Sequence, residues 1–279
     1  MPNPIADPLV EGVDTDSQSR LVLLEATPEG VATVIINRAD RRNAFDAEVI
    51  SALREAFETL EGADGIRVVF VRGAGGTFSA GADLEWMRAA ANQSEDENRE
   101  DAMNMAVMLK HLHALPVLTV ALVEGAAFGG GAGLAAACDM AIATADARFA
   151  FSEVRLGLVA ATISPYVIAA IGPRRARALF ALGRAFDAEA ARGYGLVDEV
   201  VADSVALDAA RDALAAEVTA CAPGAMGEAK RLVDHVAGRP IDHALMWETA
   251  HRIARVRVSP EGREGIGAFF ERRKASWAL

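Results

Sequence analysis

Three stretches of the chain carry residue types suited to chemistry on a carbonyl compound. Two are glycine-rich: Phe78-Ser79-Ala80-Gly81-Ala82-Asp83-Leu84, and Glu124-Gly125-Ala126-Ala127-Phe128-Gly129-Gly130-Gly131-Ala132-Gly133-Leu134. Each falls at an expected strand-to-helix junction. Small residues there let a ligand approach the backbone, and unpaired N–H groups at a helix start favour negative charge. Two such groups converging on one oxygen form an oxyanion hole, often worth several kcal/mol in a transition state. A tight turn or close helix packing would use the same glycines. Neither run matches a phosphate loop, since no Gly-Lys-Ser/Thr follows, and neither fits the spaced dinucleotide fingerprint. The third stretch, Ala147 to Leu158, sets Glu153 among aromatic and aliphatic neighbours. Desolvation there would raise its pKa and suit it to proton transfer. An ion pair with Arg148 or Arg155 is the alternative.

Positioning these residues requires an alternation of strands and helices. Leu21–Glu25 and Val31–Ile36 are strand-like, joined by the turn Thr27-Pro28-Glu29-Gly30. A helix is expected over Ala47–Leu60, with Asp46 as N-cap and Val49, Ile50, Leu53, Phe57 and Leu60 at helical spacing. Strands at Arg67–Arg72, Val117–Val123, Met140–Thr144 and Arg148–Ser152 alternate with a helix at Glu100–Ala114, a turn and helix over Gly125–Cys138 and a helix from Ser164. The pattern predicts an α/β fold, compatible with a flat sheet or with a spiral of ββα turns. From Asp187 onward the pattern is helical, with segments at Ala206–Cys221, Ala225–Val236, Asp242–Val256 and Ser259–Ser276. Three parts follow: a disordered lead-in over 1–20, a core over 21–204 and a helical oligomerisation region over 205–279.

The net charge of −11 argues against a nucleic-acid partner, and any phosphate-bearing ligand needs local basic residues against that field. Residues 1–20 are acidic and lack the apolar region of a signal peptide, and no apolar run is long enough to span a membrane. Cys138 and Cys221 have no metal-ligand spacing and read as buried free thiols in a reducing, cytoplasmic compartment. His111 and His113 lie two apart on a helix and face different directions, so no metal site is expected.

Taken together, four ordered motifs resemble the crotonase (enoyl-CoA hydratase/isomerase) superfamily, over a match from Leu21 to the C-terminus. They are Asn37-Arg38 with Arg42-Asn43-Ala44-Phe45, Phe78–Leu84, Gly125–Asp139, and Glu264-Gly265 through Ala268-Phe269 to Arg273-Lys274. The resemblance implies a spiral of ββα units with a helical C-terminal trimerisation region, assembled as a homotrimer or dimer of trimers. It implies an acyl-CoA thioester substrate, with coenzyme A entering only as part of that substrate and no separate cofactor. The backbone N–H groups of Ala80 and Gly130 become the oxyanion donors and Glu153 the acid/base. Arg38, Arg41, Arg42, Ala82, Asp83, Leu84, Gly129 and Gly133 line the substrate site, with Arg41 and Arg42 on phosphate. Phe269 and Lys274 reach a neighbour's ligand.

One departure separates this chain from the family's two-glutamate hydratases. The first glutamate position is Gly133, and only the second, Glu153, is present. The surrounding residues, through Ala161-Thr162-Ile163-Ser164-Pro165-Tyr166, resemble a bacterial subgroup associated with methylglutaconyl-CoA-type hydratases of leucine and acyclic-terpene breakdown. The expected activity is hydration of a branched or carboxylated 2-enoyl-CoA, a substrate carboxylate standing in for the absent glutamate. A 3-enoyl-CoA to 2-enoyl-CoA isomerase needs one base, so Glu153 alone suffices for it. A silent acyl-CoA-binding protein is the third reading.

Overall fold

The computed structural model describes residues 20–278. The expectation for the lead-in therefore lies, but for Arg20, outside the described residues. Strand β1 (Val22–Ala26) pairs antiparallel with β2 (Val31–Ile36), and β3 (Val68–Gly73), β4 (Leu118–Val123), β6 (Met140–Thr144) and β9 (Glu199–Val201) extend the sheet in parallel. The central parallel strands β3, β4 and β6 are mostly apolar because both faces are covered. Val69, Val71, Ala121, Val123, Ala141 and Ala143 enter the main core. The alternate residues Val68, Phe70, Val120, Leu122 and Ile142 pack instead against Leu207, Ala215 and Val218 of α7 (Ser204–Thr219).

A second, three-stranded sheet holds β5 (Ala126–Phe128), β7 (Arg148–Ala150) and β8 (Phe186–Asp187). Its line is continued by isolated bridges between Ser79 and Ala127 and between Phe45 and Ala82. Each long strand thus leads to a short extended segment and then a helix. After β3 come α2 (Leu84–Ala90) and α3 (Glu95–Ala114), after β4 and β5 comes α4 (Gly130–Ala137), and after β6 and β7 comes α5 (Ser164–Leu182). This is a spiral of ββα units, and the flat-sheet alternative falls. Helix α1 (Ala47–Glu61) packs against α3, and α6 (Ala188–Tyr194) leads into β9. Helices α8 (Pro223–Val236), α9 (His243–Arg257) and α10 (Pro260–Glu271) complete the chain.

Three local expectations need correction. Within the turn and helix expected over Gly125–Cys138, the segment before the helix is not a simple turn: Ala126–Phe128 is a strand, pulled into the second sheet by β7, and the helix begins at Gly130. The region after Asp187 includes β9, whose register with β6 overrides its local helical setting. Cys221 is exposed, not buried, and Cys138 is half-buried.

Candidate active site

The first turn is built from the loop before α1. Asn43 is buried with a left-handed φ of 55°. Its side chain accepts from Arg38 N–H at 2.9 Å and donates to the carbonyls of Ala74 and Thr77 at 2.9 and 2.6 Å. This staple fixes Arg42, whose carbonyl accepts the Ala80 N–H at 3.0 Å. Ala80, expected as an oxyanion donor, is therefore already bonded. The free donor lies two residues on. Phe45 N–H donates to Gly81 O at 2.7 Å and Asp83 N–H donates to Phe45 O at 2.8 Å, a parallel bridge that leaves the Ala82 N–H on the opposite side. Among the described residues the Ala82 N–H has no acceptor, and Ala82 lines the adjoining cavities.

Asp83 caps α2 by accepting from Glu85 and Trp86 N–H, and it pairs with Arg38 at 3.1 Å. Arg38 also holds Asp46, the N-cap of α1, at 2.9 Å. Both residues were expected to line the coenzyme site. Instead Arg38 and Asp83 form a clamp between two helix starts; burial pushes the Asp83 carboxyl up, but the two backbone N–H bonds and then the Arg38 guanidinium hold it below the usual range.

The second turn brings its donor to the same place. Gly129 has φ 48° and ψ −115°, a conformation suited to glycine, and its N–H is bonded to Ala150 O at 2.8 Å. Gly130 opens α4, so its N–H has no acceptor within the helix. A β-carbon on Gly130 would lie 2.8 Å from Met105 Cε and 3.0 Å from Phe45 Cδ2, so glycine is what lets these two side chains pack against the start of α4.

Glu153 completes the constellation from the short 3-10 turn Glu153–Leu156 after β7. Arg148 pairs with Asp187 at 3.6 Å, and Arg155 Nε donates to Gly183 O at 2.6 Å. Neither takes up Glu153, which removes the ion-pair alternative. Its Oε2 is buried without a hydrogen-bond partner, and desolvation pushes its pKa up. A 150 Å³ cavity is bounded by Glu153, Ala82, Gly130, Phe45, Trp86 and Ile163. It adjoins a 410 Å³ cavity that shares the same three functional groups, with Gly129 and Leu84 also in its wall. Two N–H donors and one poorly solvated carboxylate can hold an oxygen that gains negative charge and move a proton at a neighbouring carbon. A further cavity of 700 Å³ lies between β1–β2 and α7 and carries no such convergence.

Other expected residues, Leu84 apart, lie outside these two cavities. Gly133 does not reach ligand: it is buried beneath Ile163, since a β-carbon there would lie 2.0 Å from Ile163 Cγ2. Arg41 is exposed and pairs with Glu85 at 3.6 Å, and Arg42 is exposed beside the first turn. Leu84 is exposed at the rim of the larger cavity. Phe269 on α10 and Lys274 beyond it are exposed and line none of these cavities. Sequence reasoning missed Ile163 and Asp101, the latter on the α3 wall of the larger cavity. Asp101 stands four residues before Met105, a spacing that places both on one helix face. No group of three metal-ligating side chains occurs among the described residues.

Residues 26–278 match the family described as Enoyl-CoA hydratase/isomerase. A crystal structure of an enoyl-CoA hydratase from Shewanella pealeana superposes with a TM-score of 0.90 at 37% identity, covering 94% of this chain and 97% of that one. AtuE of Pseudomonas aeruginosa gives 0.89 at 35% identity over 93% and 100% of the two chains. The mitochondrial methylglutaconyl-CoA hydratase of Mus musculus is 31% identical over 94% of this chain and 83% of its own length. With the motif order, the spiral and these likenesses in agreement, the chain belongs to the enoyl-CoA hydratase/isomerase family of the crotonase superfamily.

Proposed function

We propose that the protein hydrates a 2-enoyl-CoA thioester through an enolate held by Ala82 and Gly130. The observation that carries this reading is the unpartnered, buried Oε2 of Glu153 in the cavity lined by both free N–H donors. The thioester carbonyl is placed between the two donors, which bind the developing oxyanion more strongly than the ground-state oxygen. Ionised Glu153 takes a proton from water as the water oxygen bonds to C3. The C2–C3 π electrons move onto the thioester, giving the enolate. The protonated Glu153 then delivers that proton to C2, so one carboxyl group performs both transfers and ends ionised. Exposed Arg41 and Arg42 supply the local positive charge for the coenzyme's phosphates.

A branched or carboxylated acyl chain of the methylglutaconyl type is supported by the mouse relative's name, and the apolar lining around Glu153 suits the branched, uncharged part of such a chain. We further propose a trimer or dimer of trimers, formed in the cytoplasm. The exposed Trp247 on α9 and Phe269 and Phe270 on α10 support an association surface.

The double-bond isomerase is a second reading, favoured by one observation: Ile163 excludes a carboxylate from Gly133. Glu153 would remove a proton from C2 of a 3-enoyl-CoA and return it at C4. Assay of 3-methylglutaconyl-CoA, crotonyl-CoA and a 3-enoyl-CoA, each beside Glu153→Gln, separates these readings. Hydration lost in the variant supports the first, and turnover of the 3-enoyl thioester alone selects the second. Silence on all three favours acyl-CoA binding without turnover.

A further inference from the structure

The small cavity over the two N–H donors is lined mostly by apolar side chains. Of the described residues around it, Glu153 and Thr162 alone carry a side-chain oxygen. Trp86 adds an indole N–H, which donates and cannot accept. Thr162 also lines the adjoining larger cavity, so it borders both spaces that hold Ala82, Gly130 and Glu153. It is partly buried, and its hydroxyl has no hydrogen-bond partner among the described residues. Such a hydroxyl is free to bind a small polar ligand in the cavity.

The loop fixes where Thr162 stands. Leu158 N–H donates to Glu153 O at 3.0 Å, and Ala161 N–H donates to Val159 O at 2.8 Å. Beyond Thr162, the N–H and the hydroxyl of Ser164 both donate to the Ala161 carbonyl, at 3.1 and 2.7 Å. Glu153 and Thr162 thus stand near the two ends of one stapled segment. The next residue, Ile163, fills the space over Gly133, where a β-carbon would lie 2.0 Å from its Cγ2. The segment that displaces the first carboxylate therefore brings an oxygen-bearing residue of its own to the cavity.

Addition of water to C3 places two demands on the site. One hydrogen of the water leaves as a proton, which Glu153 takes. The other stays on the oxygen, and an acceptor for it fixes the lone pair that faces C3. We propose that Thr162 is a catalytic residue that holds the attacking water, its hydroxyl oxygen accepting the second hydrogen while Glu153 takes the first. This rests on the hydratase reading above and adds to it the group that orients the water where Gly133 offers no carboxylate. The water oxygen bonds to C3, its bond to the departing proton breaks, and the C2–C3 π pair moves onto the thioester. The second hydrogen remains on the product hydroxyl, and Thr162 undergoes no net change.

The test compares the wild type with Thr162→Val, which removes the hydroxyl at nearly constant shape, and Thr162→Ser, which keeps it. Hydration is followed with 3-methylglutaconyl-CoA or crotonyl-CoA, whichever the wild type turns over faster. Thr162→Val should lower kcat about tenfold, while affinity for unreactive butyryl-CoA and the acid limb set by Glu153 stay unchanged. Thr162→Ser should restore most of the rate. Removing an unpartnered hydroxyl leaves no protein group orphaned, so both variants should melt as the wild type does. An unchanged kcat in Thr162→Val, a loss that serine does not restore, a shifted acid limb or a matching fall in butyryl-CoA affinity would overturn the assignment of Thr162 alone. A wild type that hydrates neither thioester overturns the hydratase reading and the water site with it.

Discussion

Ile163 lies directly over the α-carbon of Gly133: a β-carbon built there would sit 2.0 Å from Ile163 Cγ2 and 2.5 Å from its Cβ. The missing carboxylate is therefore not an empty place. An apolar side chain from the N-terminal end of α5 has taken it, and the two positions have to change together. Gly133→Glu alone is expected to lose about 3 kcal/mol of stability through overpacking, with no gain in hydration. Gly133→Glu with Ile163→Gly opens the volume and should raise hydration of crotonyl-CoA above that of the wild type. Denaturant unfolding and turnover of both variants check this, and a stable, more active single variant would refute the packing argument.

Glu153 is predicted to govern pH dependence in opposite senses for activity and stability. Burial raises its pKa in the folded protein, so the acid limb of kcat/KM should lie above the ordinary carboxylate range and vanish in Glu153→Gln. That variant should lose about a thousandfold in turnover. For stability, the folded state holds the Glu153 proton more tightly than the unfolded chain. Its favourable contribution is present below the unfolded pKa and is lost as pH rises through the folded one. Glu153→Gln should thus melt higher than wild type at neutral pH, and the difference should shrink in acid. An equal melting difference at all pH values would exclude this account.

Much of the scaffold was legible because local pattern and tertiary role agree. Val31–Ile36 and Met140–Thr144 are strands at the expected residues, and Asp46 caps α1 as its position suggests. The failures are places where a distant partner decides. Ala126–Phe128 is extended only because β7 lies beside it, and Glu199–Val201 only because β6 does. The absent glutamate could be read from Gly133, but its replacement by Ile163, thirty residues on, could not. Ala80 and Ala82 are the same residue type two apart. Which N–H is free depends on Arg42 and Phe45, contacts that spacing does not encode.

The assignment of the first donor to Ala82 can be tested without changing a side chain. Replacing the Ala82 residue by lactic acid in a semisynthetic chain substitutes an ester for the amide, which removes the N–H and weakens Gly81 O as the acceptor of the Phe45 N–H. Loss of one oxyanion donor should lower kcat by about a hundredfold, with a loss of stability no larger than one weakened hydrogen bond. The same exchange at Ala80 removes the bond to the Arg42 carbonyl, so it should cost about 1 kcal/mol of stability and have the smaller effect on kcat. The reverse ranking would return the donor role to Ala80.

Arg38 and Arg42 stand four residues apart and are predicted to fail in different ways. Arg38 bridges Asp46 and Asp83, the caps of α1 and α2, and Asp83 is almost wholly buried. Arg38→Met leaves a buried carboxylate without its cation and should cost about 3 kcal/mol, measured by denaturant unfolding. Lysine should rescue little, because one ammonium cannot reproduce the guanidinium's contacts with both carboxylates and with the Ala44 carbonyl. Arg42 is exposed, and its contribution to the fold is its carbonyl, which Arg42→Gln retains. That variant should unfold like the wild type while KM rises for the CoA thioester. With the corresponding pantetheine thioester, which lacks the nucleotide phosphates, KM should not change. A KM effect of the same size with both thioesters would place Arg42 outside the phosphate contacts.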